Sequence, residues 1–188
     1  MSFLPDSFES PKTSGQYLKL ADGENVRIRI LSKPIFFWQW WSLDNKPLRV
    51  AYDGSFAKTP EHADPSKKSQ FVWAMTVWNY NTEKVQIWSP SQAAFKNALE
   101  SYAKDSDIGD PTLFDIKIGR KGTMMETEYS IIPLQKAENM KPISKEIIEE
   151  ASRVNLNALI TNDNPFEVSE DTKQAKSDSS VKIEDVPF

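Results

Sequence analysis

Residues 35–41, IFFWQWW, place five aromatic rings in six consecutive positions, Phe36 to Trp41. Read as a strand, the stretch sends successive side chains to opposite faces. Phe36, Trp38 and Trp40 then lie on one side, Phe37 and Trp41 on the other. A single core cannot receive both sets. Any sheet that contains this strand must be covered on both faces or show large rings on one of them.

The neighbouring segments extend the pattern. NVRIRIL (25–31) alternates, with Val26, Ile28 and Ile30 inward and Arg27 and Arg29 outward. Pro34 has no N–H to give to a ladder, so a bend or bulge is expected there. If the inward phase survives Pro34, the core side is Phe36, Trp38 and Trp40. The outer side is then Phe37, Gln39 and Trp41, continuing Arg27, Arg29 and Lys33. A bulge would exchange the two faces. DNKP (44–47) turns the chain into a short strand, LRVAY (48–52). Residues 53–69 form a polar loop of the length that is usually functional or disordered.

QFVWAMTVWNY (70–80) is the most regular strand. Phe71, Trp73, Met75 and Val77 make its better core face, which leaves Trp78 and Tyr80 outside. The turn NTE leads into KVQIW (84–88), with Val85 and Ile87 inward and Lys84, Gln86 and Trp88 outward, a hairpin. Residues 89–104 read as a helix. Ser89 and Gln92 have capping-box spacing, Pro90 suits the first turn, and Ala94, Phe95, Ala98, Leu99 and Tyr102 form the stripe. LFDIKIG (113–119) and METEYSII (125–132) flank the turn RKGT as a second hairpin. Residues 144–160 form a second amphipathic helix capped by Ser144.

With 44–69 set aside as an insertion, the order is β-β-β-α-β-β over residues 25–135. A mainly β domain is expected: the five-stranded OB-fold barrel, with a helix between its third and fourth strands. A sandwich built from the same hairpins is the alternative, which periodicity alone does not separate. Residues 1–24 read as an arm, 136–160 as a C-terminal helical segment, and 161–188 as a disordered acidic tail.

Composition narrows the function classes. The chain of 188 residues has no cysteine, which removes disulfide scaffolds, thiolate metal sites and cysteine nucleophiles. The single histidine, His62, lies in the polar loop, and no glycine-rich phosphate cradle exists. Glu126 and Glu128 could share a strand face as half a metal site, but a solvated face accounts for them. No catalytic residue, metal or cofactor is therefore expected, and the chain reads as a non-enzyme. No apolar run reaches the ~18 residues of a membrane span, and the N-terminus lacks the pattern of a secretory signal. A cytoplasmic protein is expected. The net charge of −4 belongs to the tail: residues 161–188 hold seven acids and three lysines, leaving twenty acids and twenty bases elsewhere. A neutral body can still carry a basic groove, because a polyanion responds to the local field.

Rings interleaved with cations on a curved sheet suit single-stranded nucleic acid. Each unpaired base can stack on an aromatic for ~1–3 kcal/mol, and the cations neutralise phosphates. The expected stacking rings are Phe37, Trp41, Trp78, Tyr80 and Trp88. The expected phosphate contacts are Arg27, Arg29, Lys33, Lys46, Arg49, Lys67, Lys68, Lys84, Lys117, Arg120 and Lys121. Stacking does not distinguish DNA from RNA.

The chain closes SSVKIEDVPF, acids followed by Phe188. This end resembles that of bacterial single-stranded-DNA-binding proteins, whose acidic tails close with Asp-Ile-Pro-Phe. Glu184, Asp185, Val186, Pro187 and Phe188 match it, with Val in place of Ile. YLKLADGENVRIRILSKPIF, WAMTVWNYNTEKVQIW and DIKIGRKG…TEYSIIPL also resemble phage-encoded members of that group. The resemblance implies a protein of the host cytoplasm that coats single-stranded DNA in phage replication, recombination or repair. It further implies that residues 184–188 dock partner enzymes such as a polymerase, helicase-primase or recombinase. A phenyl ring beside a carboxylate would suit an apolar pocket edged by Arg or Lys. Two other readings stay open: a protein-interaction module, homo-oligomeric or not, whose rings form the interface, and an oligosaccharide-binding barrel.

Overall fold

A computed structural model describes residues 15–135 and 141–167. The proposed docking tip, 184–188, lies outside them. Seven strands form one antiparallel sheet: β1 (Asn25–Ile30), β2 (Ile35–Trp41), β3 (Pro47–Ala51), β4 (Gln70–Asn79), β5 (Lys84–Trp88), β6 (Asp115–Lys121) and β7 (Glu128–Leu134). Three helices accompany it: α1 (Ala93–Lys104), α2 (Lys145–Ser152) and α3 (Ala158–Thr161). The strand order is β3-β2-β4-β1-β6-β7, with β5 on the second edge of β4. No described helix is long and apolar enough to cross a membrane.

β4 organises the sheet. Along one edge it pairs first with β2, from Gln39↔Gln70 to Ile35↔Ala74, and then with β1, from Ile30↔Val77 to Ile28↔Asn79. Residues 31–34 stand opposite only Met75 and Thr76, so the chain carries two extra residues at Pro34. An even excess keeps the side-chain phase, whereas an odd one would reverse it. Leu31 N–H donates to Thr76 O at 2.8 Å, and Thr76 N–H donates to Ser32 Oγ at 2.9 Å, which stitches the bulge down. Phe36, Trp38 and Trp40 therefore share a face with Ile28 and Ile30, as the unbroken phase requires.

That face holds the main core over only part of its length. Val26, Ile28, Ile30, Met75, Val77 and Ile116 pack beneath Phe95 and Leu99 of α1. The opposite face, expected to be open, carries a second core. Phe37, Ala74 and Ile87 are buried under Leu156 and Leu159 at the C-terminal end of the described chain. The helix expected at 144–160 breaks into α2 and α3, and Ser144 caps α2 by accepting from Ile147 N–H at 3.4 Å. Residues 162–167 return beside it, with Phe166 packed against the second core.

Three expectations are corrected. Phe37, placed outside, is 2% exposed because α3 and the residues before it cover its face. Trp88, also placed outside, pairs with Met75 and joins the main core at 3% exposure. Its strand is buried on both faces, so alternation could not reveal which side was wet. The third correction concerns closure, since no ladder joins β5 to β7 among the described residues and the sheet remains open. Phe95 of α1 sits between them, with ring centroids 5.4 Å from Trp88 and 5.3 Å from Tyr129. The free edge of β5 is taken by Gln16–Leu18, through Ile87 N–H to Gln16 O at 2.8 Å and Leu18 N–H to Ile87 O at 2.9 Å. Helix α1 itself starts later than expected, with Gln92 as its N-cap and no side-chain cap bond.

Burial of Phe37 gives a direct test. Phe37→Ala should lower unfolding stability by about 3–5 kcal/mol in urea titration, the range for emptying a buried phenyl site. A solvent-facing ring would change stability by less than about 0.5 kcal/mol.

Candidate nucleic-acid interface

Beyond α1, the core-side face of β2, β3 and β4 has no helix over it among the described residues and presents a wall of rings. Antiparallel register sets Phe36 beside Trp73 and Trp38 beside Phe71. Phe36 and Phe71 lie parallel within 5° at 6.0 Å, and Phe36 meets Trp73 edge-on at 5.1 Å. Trp38 approaches Phe71 at 4.9 Å and Trp40 at 6.3 Å. Tyr52 extends β3 by donating its N–H to Phe36 O at 3.0 Å, which brings its ring to 5.0 Å from Phe71.

The long polar loop completes the wall. Asp53 accepts from Ser55 N–H at 3.1 Å and Ser55 Oγ at 2.7 Å, and Gly54 takes φ +102°, a conformation strained for other residues. Those two Ser55 bonds hold the Asp53 carboxyl below the usual range. Trp38 Nε1 donates to Ser55 O at 3.1 Å and thereby fixes Phe56 over its own ring at 4.3 Å. Seven rings (Phe36, Trp38, Trp40, Tyr52, Phe56, Phe71, Trp73) thus make one contact network. Phe56 is 63% exposed and Tyr52 42%.

The expected residues distribute differently. Lys46, Lys67 and Lys68 gather where the loop folds against the β2–β3 turn. Asp64 N–H donates to Trp41 O at 2.7 Å, Lys67 pairs with Asp64 at 3.5 Å, and its ammonium also donates to Asn45 Oδ1. Lys46 and Lys68 are exposed there, and Trp41 at the end of β2 is half-buried. Arg49 is held beneath α3: its Nε donates to Gln39 Oε1 at 2.9 Å, and its guanidinium lies 5.6 Å from the Phe37 ring. Burial lowers its pKa. Arg120 gives Nη1–H to Leu20 O at 3.1 Å and is tied to the N-terminal segment. Lys33, Lys84, Lys117 and Lys121 are exposed at scattered positions.

Arg27, Arg29 and Tyr80 converge on Asp115, whose side chain is fully buried. Arg27 Nε donates to Asp115 Oδ2 at 2.8 Å and Arg29 Nε to Oδ1 at 2.6 Å. The Tyr80 hydroxyl lies 3.0 Å from Oδ1 and 3.2 Å from Lys141 O, and donates to one of them. Arg27 and Lys141 stand 5.2 and 5.4 Å from the centre of its ring. Tyr80 is thus already engaged by two cations rather than offered to a base. Trp78 meets Tyr80 at 6.4 Å and is half-buried. Two of the basic residues expected to contact phosphate, Arg27 and Arg29, are ion-paired with a buried acid.

The ring wall is what sequence reasoning missed, because Phe36, Trp38 and Phe71 were assigned to the core and are only half-buried, whereas Trp40 at 4% exposure and Trp73 against the main core keep that assignment. The available signal was a surplus: more rings on the core side of two strands than one 12-residue helix can roof. Tyr52 and Phe56, bracketing an Asp-Gly turn in polar sequence, carried the same message.

Two measurements test the Asp115 cluster. Asp115→Ala should cost about 3–5 kcal/mol, since it removes the buried carboxylate that both guanidinium groups share. Burial, with the Asp115 carboxylate beside it, raises the Tyr80 pKa from 10.0 to about 12. The raised value favours the folded state below pH 10, and this contribution disappears as pH climbs through about 12. Tyr80→Phe should therefore flatten the alkaline loss of stability, and its spectrum should lack the late-titrating tyrosinate.

No protein family, curated protein or solved structure matches this chain.

Proposed function

We propose that this protein binds single-stranded DNA without regard to sequence, as a coating protein in replication, recombination or repair. One observation carries the reading: seven interlocked rings on a sheet face that no helix covers among the described residues, with Tyr52 and Phe56 open to solvent. Rings in a finished core would be sealed, and an array left partly open to solvent marks a recognition surface. Unpaired bases can lie on it one after another, since every base has a π-face. Exposed Lys46 and Lys68 at the far end of the same strands supply charge for the phosphates.

The pairing order supports an OB-like ancestry. The bent β1–β2 strand pairs β4, β4 pairs β5, β6 returns to β1, and β7 follows β6. Those are four of the five seams of an OB barrel, with α1 lying where the fifth would form. The resemblance of residues 184–188 to docking tips adds a proposed role in recruiting partner enzymes through Phe188.

A protein-interaction surface is the second reading, favoured by the exposed aliphatic Val50 on β3 and Leu43 in the β2–β3 turn. Titration with oligo(dT) separates the two. Coating predicts quenching of tryptophan emission and an affinity that falls steeply with salt, with duplex DNA binding far more weakly. Phe56→Ala or Tyr52→Ala should each weaken binding by about 1–3 kcal/mol. Lys68→Gln should flatten the log–log salt dependence by about 0.7. A wild-type protein that ignores oligo(dT) but self-associates in size-exclusion chromatography would transfer the wall to the second reading.

A further inference from the structure

At its inner end the ring wall runs into a cleft of about 490 Å³ between β2, β4 and the C-terminal half of α1. Phe36 and Trp73 belong to both wall and cleft, Met75 and Leu99 also line it, and Ala103 and Lys104 face them from the helix. Ligand sites typically occupy about 300–1,000 Å³, are mostly apolar and carry a few convergent polar groups. This cleft has that character.

We infer that the cleft takes one unpaired nucleobase from the same strand that lies on the ring wall. The inference rests on the nucleic-acid reading above and adds an anchoring point to it. Continuity is the first argument: a strand that follows the parallel Phe71 and Phe36 rings is delivered to the edge of Trp73, where the open wall gives way to a recess. Enclosure is the second. A base on the wall loses water from one face, whereas a base in the recess can be covered on both.

The rim chemistry agrees with that occupant. Glu100 and Asp110 stand at the cleft and can accept from base N–H groups. Both are held in position: Lys104 pairs with Glu100 at 2.5 Å, and Asp110 Oδ1 accepts from Thr112 N–H and Oγ1, each at 2.9 Å. Lys33, exposed on the opposite rim, is placed for the phosphate of the nucleotide that turns inward.

Ala103 provides the test, because it is exposed on α1 and contributes nothing to the buried core. Ala103→Trp fills the recess from the helix side and replaces no ring of the wall. Its affinity for oligo(dT) should fall by about 5- to 150-fold, one stacked base. A dT oligonucleotide carrying one 2-aminopurine should lose more emission on the wild type than on Ala103→Trp. If Ala103→Trp binds like the wild type while Phe56→Ala still weakens binding, the inference is overturned and the wall reading stands. If the wild type does not bind oligo(dT), both fall. Should circular dichroism show Ala103→Trp misfolded, Ala103→Leu decides by the same criteria, with a smaller loss expected.

Discussion

Everything else in this molecule hangs on the way β4 is shared. One edge of it serves two strands in succession, and the transition between them contains an even number of surplus residues. The parity matters more than the bend. It carries the inward phase of Val26, Ile28 and Ile30 through Pro34 to Phe36, Trp38 and Trp40, so that a single sheet face is apolar from end to end. A one-residue bulge would have exchanged Phe37 for Phe36 and turned the tyrosine-bearing end of β3 away from its ring partners.

A face that is apolar from end to end still has to be roofed, and the two ends are treated differently. Over β1, β6 and the adjoining half of β4, helix α1 closes the core with Phe95 and Leu99. Over β2 and β3 no described helix does, and the rings cover one another instead. Aromatic pairs in tilted and edge-on contact contribute about 0.5–1.5 kcal/mol beyond area burial, so a partly wet cluster of seven can hold a fixed shape. The loop at 53–56 adds Phe56 to the cluster through three hydrogen bonds around Ser55. The proposed binding surface is thus a piece of core that was never covered, and its rigidity comes from the same contacts that would stabilise an interior.

Charge follows a related logic. Alternation correctly placed Arg27 and Arg29 on the face opposite the core, but position on a face does not reveal a partner. Asp115 arrives on that face from a strand 86 residues away and takes both guanidinium groups. Arg49 is drawn under α3 by the Leu159 carbonyl and Gln39. Lys33, Lys46, Lys68, Lys84, Lys117 and Lys121, each with one compact charge on a flexible stem, stay at the surface. The field available to a polyanion is therefore made mainly by lysines, and at the β2–β3 tip by Lys46 and Lys68.

Strands, hairpins and the helix between them were legible because each is written within about a dozen residues: period-two alternation in 25–31 and 70–80, turn residues at 44–47 and 81–83, and a helical stripe in 93–104. Which residues share a face follows from the same local periodicity, and the faces of β1, β2 and β4 agree with it. Local periodicity is silent about what lies on top of a face. Burial of Phe37 depends on Leu156 and Leu159, more than a hundred residues downstream, and burial of Trp88 depends on a strand that is dry on both sides. Openness of the sheet goes with Gln16–Leu18 on the free edge of β5 and with Phe95 of α1 between β5 and β7. The amino-acid sequence by itself determined the elements and their two-faced patterning, because those are properties of neighbouring residues. Only the tertiary structure decided which face would be sealed and which rings would stay wet, because coverage is made by segments remote in the chain.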